Sequence, residues 1–272
     1  MVMAGQQKIG LDAGGTLLKA AYFENGRLHL KKYSYENFDT FLQWLQFTAP
    51  RARYSLTGGR TAWIQERLKG ASFRGVDEFR AVTEGFRYLL DPAHPLLASG
   101  FILANVGTGT SIHYMTREES VRMAGSGVGG GTLMGLASIL AGEKDFNEIC
   151  RLAEAGDRSR VDLQVKDIYE PSEPPIPGHF TASNFGKAMQ GDMKKEDILA
   201  ALAGMITETV ALLSTHNAGV KGVKDIMYIG NTLNGSRLFK EFLKQTTETF
   251  GFSYHELENG EFSGAIGALL AD

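Results

Sequence analysis

The stretch IGLDAGGTLLKAAYFENGRLHL, residues Ile9 to Leu30, reads as strand, turn, strand, turn, strand. β-Type residues run into Asp12, two glycines and a threonine follow, and β-type residues resume at Leu17. The tripeptide Glu24-Asn25-Gly26 is a hairpin turn. Strands are therefore expected at about Lys8–Asp12, Leu17–Phe23 and Arg27–Tyr33. The turn Asp12-Ala13-Gly14-Gly15-Thr16 admits two readings. It is an ordinary tight reversal, or it presents bare backbone N–H groups as a concave nest for an anion. In the second reading Asp12 stands beside bound phosphates and holds Mg²⁺ directly or through water, while Thr16 and Lys19 add a hydroxyl and a positive charge.

The pattern occurs again. FILANVGTGTSIHYMTREESVRMAG, Phe101 to Gly125, has an apolar strand ending in a polar residue, a Gly-Thr-Gly-Thr turn, a second strand, a short turn and a third strand. Setting Asp12 on Asn105 brings Gly14 onto Gly107. A duplicated strand-turn-strand unit is stronger than either turn alone, because two such nests suit a polyphosphate held between two lobes.

Around these units the periodicity alternates between strand and helix. Phe38, Phe41, Leu42 and Leu45 lie at helical spacing, RYSLTGG is a short strand, and a helix follows from about Thr61 to Leu68. Phe79, Val82, Phe86 and Leu90 mark the apolar positions of another helix. Beyond the second unit, helices are expected in GGGTLMGLASILAG, DFNEICRLAEAG and the long apolar EDILAALAGMITETVALLSTHNA. A Pro-rich loop is expected around Pro171–Gly178. The chain closes with strand DIMYIGNTL, helix SRLFKEFLKQTTETFG, strand FSYHELE and helix SGAIGALLA. Alternating strands and helices make an α/β protein.

Bulk properties narrow the class. The 272 residues are 43% hydrophobic and 22% charged, as in a globular protein with a sizeable core. A formal charge of −3 argues against a nucleic-acid binder working through a basic surface. One cysteine, Cys150, excludes an internal disulfide and reads as a buried small side chain. No signal-like apolar region opens the chain and no run is expected to reach membrane-spanning length, so a cytoplasmic protein with no membrane partner is expected. The 33 glycines cluster in the turns rather than forming a linker. Gly125 to Gly130 satisfy the dinucleotide spacing G-x-G-x-x-G, but the helix after them leads into another helix rather than a strand. P-loop and zinc-binding spacings are absent, as is a helix-turn-helix segment ahead of Lys8.

The segments DAGGTLLK, NVGTGTS and YIGN resemble the two phosphate motifs and the adenosine motif of the acetate and sugar kinase/Hsc70/actin superfamily. More closely, GLDAGGTLLK, ANVGTGTSIHY, GVGGGTLMGL, AGDRSRVDLQVKDIY, EPPIPG, TASNFG and ENGEFSGAIGALL, in this order, resemble the type II pantothenate kinases over nearly the whole chain. The resemblance implies two ribonuclease-H-like lobes of actin-like ATPase type, divided at 1–100 and 101–272. It implies ATP-dependent phosphorylation of pantothenate with Mg²⁺, and a homodimer. Dimerisation would use the helix Ile198–His216, which carries more apolar surface than one face needs. The family's first phosphate motif falls on Asp12, Ala13, Gly14, Gly15, Thr16, Leu17, Leu18 and Lys19, with Asp12 beside the metal. Thr108 falls in the second, and Gly129, Gly130, Gly131, Thr132 and Leu133 open a helix facing the nucleotide. GNTLNG departs from the family's pattern after the first glycine, which leaves Asn231 and Thr232 as alternative adenosine contacts. Phe146 packs on adenine or in the core.

Phosphoryl transfer to an alcohol also needs a carboxylate to take the proton. Asp12, Asp77, Glu78 and Glu84 are the acids available in the first lobe, and Asp77 sits equally well as a helix cap. The family's Glu-Phe pair falls on Glu78-Phe79, which makes Glu78 the expected base. Its substrate-binding arginine falls on Arg122, suited to a carboxylate by bidentate pairing, with Thr108 and Ser111 lining the same pocket. Two other readings share the clamp: a kinase for a sugar or amino sugar, and a non-catalytic nucleotide-binding or ATPase-activator protein.

Overall fold

The computed structural model describes residues 7–49, 52–68, 71–189, 191 and 193–271. The chain opens with β1 (Lys8–Ala13), β2 (Leu17–Glu24) and β3 (Arg27–Ser34), followed by α1 (Phe38–Thr48), β4 (Arg53–Thr57), α2 (Thr61–Arg67) and β5 (Phe73–Gly75). The strands form one sheet in the order β3-β2-β1-β4-β5, with β1 antiparallel to β2 and parallel to β4. Side chains alternate across β1. Ile9, Leu11 and Ala13 join the core with Phe38, Phe41 and Leu45 of α1 and Ile64 of α2. Gly10 and Asp12 therefore face the other side.

Next come α3 (Glu78–Leu89), α4 (Pro95–Ser99), β6 (Phe101–Val106), β7 (Thr110–Met115) and β8 (Ser120–Ser126). The remainder holds α5 (Gly130–Ala141), α6 (Phe146–Ala155), β9 (Leu163–Gln164), α7 (Val165–Tyr169), β10 (Thr181–Ser183), α8 (Lys195–Lys221), β11 (Asp225–Ile229), α9 (Arg237–Thr249), β12 (Ser253–Glu256) and α10 (Ser263–Leu270). The second sheet runs β12-β11-β6-β7-β8, with β11 parallel to β6. Read backwards, this is the order of the first sheet. The duplication visible in sequence as three strands thus extends to all five.

Contacts divide the chain into two compact units. One comprises Met1–Phe101, Tyr114–Arg122 and Glu256–Asp272, the other Ile102–His113 and Met123–His255. The C-terminal stretch joins the first unit because α10 packs on α3, β1, β2 and β4. It covers the sheet face opposite α1, where Ala265, Ile266 and Leu269 meet Ala21. Three glycines permit the approach. A Cβ on Gly10 would lie 2.1 Å from the Ala265 carbonyl oxygen, one on Gly85 1.8 Å from that of Ser263, and one on Gly267 1.8 Å from that of Ala81.

In the second unit α5, α6, α8 and α9 share a core of Leu133, Ile149, Leu152, Leu202, Ile206 and Phe239. The 27-residue α8 is long and apolar enough by length and composition to cross a membrane, which corrects the expectation that no run is. Two thirds of its most apolar window is buried in its own unit, so it acts as a core helix, and the apolar excess is largely accounted for there. Leu212 and Val220 stay exposed on it. The Arg158 guanidinium lies on Gly204 of α8, bonded to the fully buried Asp162 at 2.8 Å and to Glu208 at 2.9 Å. It thereby ties the irregular segment around α7 to that helix.

Of the expected apolar positions of α3, Val82 and Phe86 are buried, whereas Phe79 is 37% exposed. The helix buries Ala81 and Gly85 instead, because α10 demands small residues there. The elements that sequence periodicity left out are β5, β9, β10, α4 and α7, all of five residues or fewer.

Candidate functional site

In the first unit the site grows from the end of β1. Asp12 faces α10, and its register partner on β2 is Lys19, so both side chains emerge on one face. The Lys19 ammonium donates to the Asp12 carboxylate at 3.4 Å, and both side chains are largely buried. The carboxylate sits between two glycines: a Cβ on Gly58 would come within 2.9 Å of it and one on Gly264 within 2.8 Å. Thr57, beside Asp12 on β4, has a buried hydroxyl with no hydrogen-bond partner among the described residues.

Asp77 is the N-cap of α3, its carboxylate accepting from the Arg80 N–H at 2.9 Å. That leaves Glu78 as the first helical residue. Its side chain is reachable by solvent yet crowded by protein. Burial, then the carboxylates of Asp12 and Asp77, push its pKa above the ordinary carboxylate value, while Lys19 and Arg122 pull it down. The structure thus brings Asp12, Lys19, Glu78 and Arg122 into one electrostatic neighbourhood. Arg122 on β8 lays its guanidinium 4.4 Å over the Phe79 ring, next to Glu78. Glu84 is spent on Arg87 at 3.0 Å.

The Asp12–Thr16 turn is braced from outside. The Gly14 N–H donates to the Leu17 carbonyl at 3.1 Å, and the Tyr35 hydroxyl donates to the Gly14 carbonyl at 2.6 Å. Arg60 donates its backbone N–H to the Ala13 carbonyl at 2.9 Å and stacks its guanidinium 4.4 Å over the Tyr35 ring. Ala13 and Leu18 are fully buried and serve the turn from behind, whereas Gly15 and Thr16 are exposed. Sequence reasoning passed over Tyr35, Arg60 and Thr57. Arg60 follows directly on the two glycines that end RYSLTGG; nothing in the spacing singles out Tyr35.

The second unit builds its turn differently. The Gly107 N–H donates to the Gly109 carbonyl at 2.9 Å. The first amides of α5, those of Gly130 and Gly131, donate to the carbonyls of Gly107 and Thr108, each at 2.8 Å. A Cβ on Gly129 would be 2.9 Å from the Gly107 carbonyl oxygen, and one on Gly131 2.7 Å from the Thr108 methyl. These glycines therefore let the helix start lie directly on the turn. Thr132 donates its hydroxyl to the Gly127 carbonyl at 2.8 Å, and Leu133 buries its side chain in the core. The hydroxyl of Thr232 donates to the Gly107 carbonyl at 2.9 Å. Asn231 beside it has a buried side-chain oxygen with no partner among the described residues. Phe146 is half-buried against the bare backbone of Gly235. Ser111 pairs with His113 at 3.2 Å.

As donors for a metal, these residues offer Asp12 alone at the first turn, and no cluster of three or more acids, histidines or cysteines exists among the described residues. One carboxylate beside a phosphate nest fits a magnesium ion carried by a polyphosphate, because Mg²⁺ keeps waters and needs few protein ligands.

A model of the Fumble family matches residues 8–271. The chain is 41% identical to the type II pantothenate kinase of Oceanobacillus iheyensis over 270 residues, covering 97% of this chain and 99% of that one. It is 38% identical to the type II pantothenate kinase of a Bacillus cereus strain, covering 97% and 98%. Among solved structures, component A of (R)-2-hydroxyglutaryl-CoA dehydratase from Acidaminococcus fermentans superposes with a TM-score of 0.64 at 14% identity, covering 97% of this chain and 96% of that one. That likeness is one of fold.

Proposed function

The chain belongs to the Fumble family together with the type II pantothenate kinases, and on that premise we propose that it phosphorylates pantothenate to 4′-phosphopantothenate at the expense of ATP, the first step of coenzyme A biosynthesis. The observation that carries the reading is the neighbourhood of Asp12, Lys19, Glu78 and Arg122 in one unit. It contains an acid whose pKa is raised, a shielded carboxylate, and an accessible arginine.

In this reading Glu78 accepts the proton of the primary alcohol as its oxygen attacks the γ-phosphorus. The bond to the β–γ bridging oxygen breaks and ADP leaves. Arg122, steadied on Phe79, pairs with the pantothenate carboxylate. Thr108 and Ser111 are proposed as further pantothenate contacts. Asp12 would hold Mg²⁺, which when bound neutralises phosphate charge. Gly14, Gly15 and Thr16 would meet the phosphates in the first unit, and the Gly107–Gly109 turn is the second unit's own candidate turn for an anion. Asn231 is the better candidate for the adenosine, since the hydroxyl of Thr232 is committed to the turn. The amides of Gly130 and Gly131 are committed likewise, so those glycines support the turn. The exposed Leu212 and Val220 are the surface of α8 left for a homodimer.

The test is ADP release from Mg²⁺-ATP with pantothenate, a panel of sugars and no acceptor. Release stimulated by pantothenate, with phosphopantothenate as product, is expected. Stimulation by a sugar alone would overturn the acceptor assignment, and slow release indifferent to any acceptor would favour an ATPase activator.

A further inference from the structure

The internal duplication allows the two turns to be compared residue by residue. Asp12 matches Asn105 and Gly14 matches Gly107. At the end of the fourth strand Gly58, at φ +92, matches Gly230, at φ +116. Each packs against the chain just past the matched polar residue: a Cβ would lie 2.5 Å from the Ala13 carbonyl oxygen in one and 2.3 Å from that of Val106 in the other. Two residues on, the Arg60 N–H reaches the Ala13 carbonyl at 2.9 Å, and the Thr232 N–H reaches that of Val106 at 3.3 Å. Arg60 and Thr232 therefore hold the same place in the two copies.

Their side chains are used differently. The glycine carbonyl of each turn is bonded by a hydroxyl, but in the second copy that hydroxyl belongs to Thr232 itself. In the first it comes from Tyr35. Burial pushes the Tyr35 pKa up to about 12, so the group stays a donor across the working pH range. Tyr35 thus takes over the bracing task, and the side chain at position 60 is released from it. What stands there is a guanidinium, exposed, fixed over the Tyr35 ring, and with no carboxylate in ion-pair range among the described residues. Arg60 is anchored to the phosphate turn twice, through its backbone N–H and through Tyr35.

We propose that Arg60 is a catalytic residue, its guanidinium meeting the phosphoryl group in transit, and that Tyr35 is the positioning residue that aims it. The proposal rests on the kinase reading above. In a loose phosphoryl-transfer transition state the equatorial oxygens carry the charge, and a fixed guanidinium matches them by paired N–H donors. Such a contact is stronger in the transition state than in bound ATP, so it acts on kcat more than on nucleotide affinity.

The experiment measures pantothenate phosphorylation, and binding of a non-hydrolysable ATP analogue by calorimetry, for wild type, Arg60→Met, Arg60→Lys, Tyr35→Leu and the double variant Tyr35→Leu/Arg60→Met. Arg60→Met is expected to lose roughly 10²–10³-fold in kcat, with analogue affinity within about threefold. Arg60→Lys should recover part of the loss, since it restores charge without the fork. Tyr35→Leu should slow turnover in the wild-type background and add little to Arg60→Met, because it acts through the arginine. A kcat for Arg60→Met within about twofold of wild type, with an unchanged circular dichroism spectrum, would overturn the proposal. Fully multiplicative losses in the double variant would remove Tyr35 as the aiming residue. Wild-type protein that binds the analogue yet leaves pantothenate untouched would overturn the kinase reading instead.

Discussion

The contact of α3 with α10 makes a remote glycine a control on the chemistry. A Cβ at Gly267 would stand 1.8 Å from the Ala81 carbonyl oxygen, 2.6 Å from its carbon and 2.8 Å from the Ala81 Cα. All three are backbone atoms, so no rotamer change relieves the clash. Restoring ordinary contact at about 3.4 Å requires the helices to separate by up to about 1.6 Å. Overpacking of this kind costs about 1–3 kcal/mol, and the better helix propensity of alanine returns roughly 1. The net loss of about 0–2 kcal/mol corresponds to a fall in Tm of up to roughly 8 °C at this chain length. The catalytic consequence is larger. α3 begins with Glu78, and α10 abuts Asp12 through Gly264. A displacement of about 1 Å in a reacting geometry can cost about 10²-fold. Gly267→Ala is therefore expected to fold, to melt a few degrees early, and to lose roughly 10- to 100-fold in kcat for pantothenate. The assay is coupled ADP release beside thermal unfolding followed by circular dichroism. Gly219→Ala, whose Cβ would meet nothing within 4 Å, serves as the control. Wild-type kcat in Gly267→Ala would refute the claim that the helix contact sets the position of Glu78.

Other expectations follow from single groups. Glu78→Gln should lower kcat roughly 10²–10⁴-fold while analogue binding persists; unaltered turnover would exclude Glu78 as the base. Because the Glu78 pKa is raised, its base form is lost earlier on acidification, and kcat/KM should fall through an acid limb lying above pH 4.5. Lys19→Met should move that limb further up, since the ammonium holds the pKa down; a limb that stayed in place or moved down would show that another group titrates. Arg158→Met leaves the fully buried Asp162 and its neighbour Glu208 without their cation. The loss should be about 3–5 kcal/mol, read as a Tm lower by about 10 °C, and a shift below about 1 °C would contradict it.

Much of this arrangement could be read from residue patterns, and the parts that could not have physical causes. The strands from Ile9 to Leu30 were legible because runs of β-type residues are bounded by Gly- and Asn-containing turns. The fourth and fifth strands of each sheet carry no such repeated signature, so the full extent of the duplication became visible only through strand order. Phe79 fitted the helical apolar period yet is 37% exposed, with the Arg122 guanidinium lying over its ring. Of the glycines expected from sequence to face a nucleotide, Gly130 and Gly131 looked like open amides. Hydrogen-bond accounting, which a sequence does not provide, shows them bonded to the second turn. Tyr35 was invisible for a similar reason: its partner is a backbone carbonyl 21 residues away, and no spacing rule connects the two.

The packing of α10 on β1 also imposes a timetable. Synthesis runs from the N-terminus, and at about 5–20 residues per second some ten to fifty seconds separate translation of β1 from that of α10. Through that interval the sheet face bearing Gly10, Ala21 and Asp12 lacks the helix that covers it. The nascent first unit is left with an open apolar surface until then, whereas the second, whose stretches lie wholly between Ile102 and His255, has all its sequence before α10 is made. The unit translated first is thus the one finished last, and the carboxylate at its centre gains its final neighbour only when Gly264 has been made.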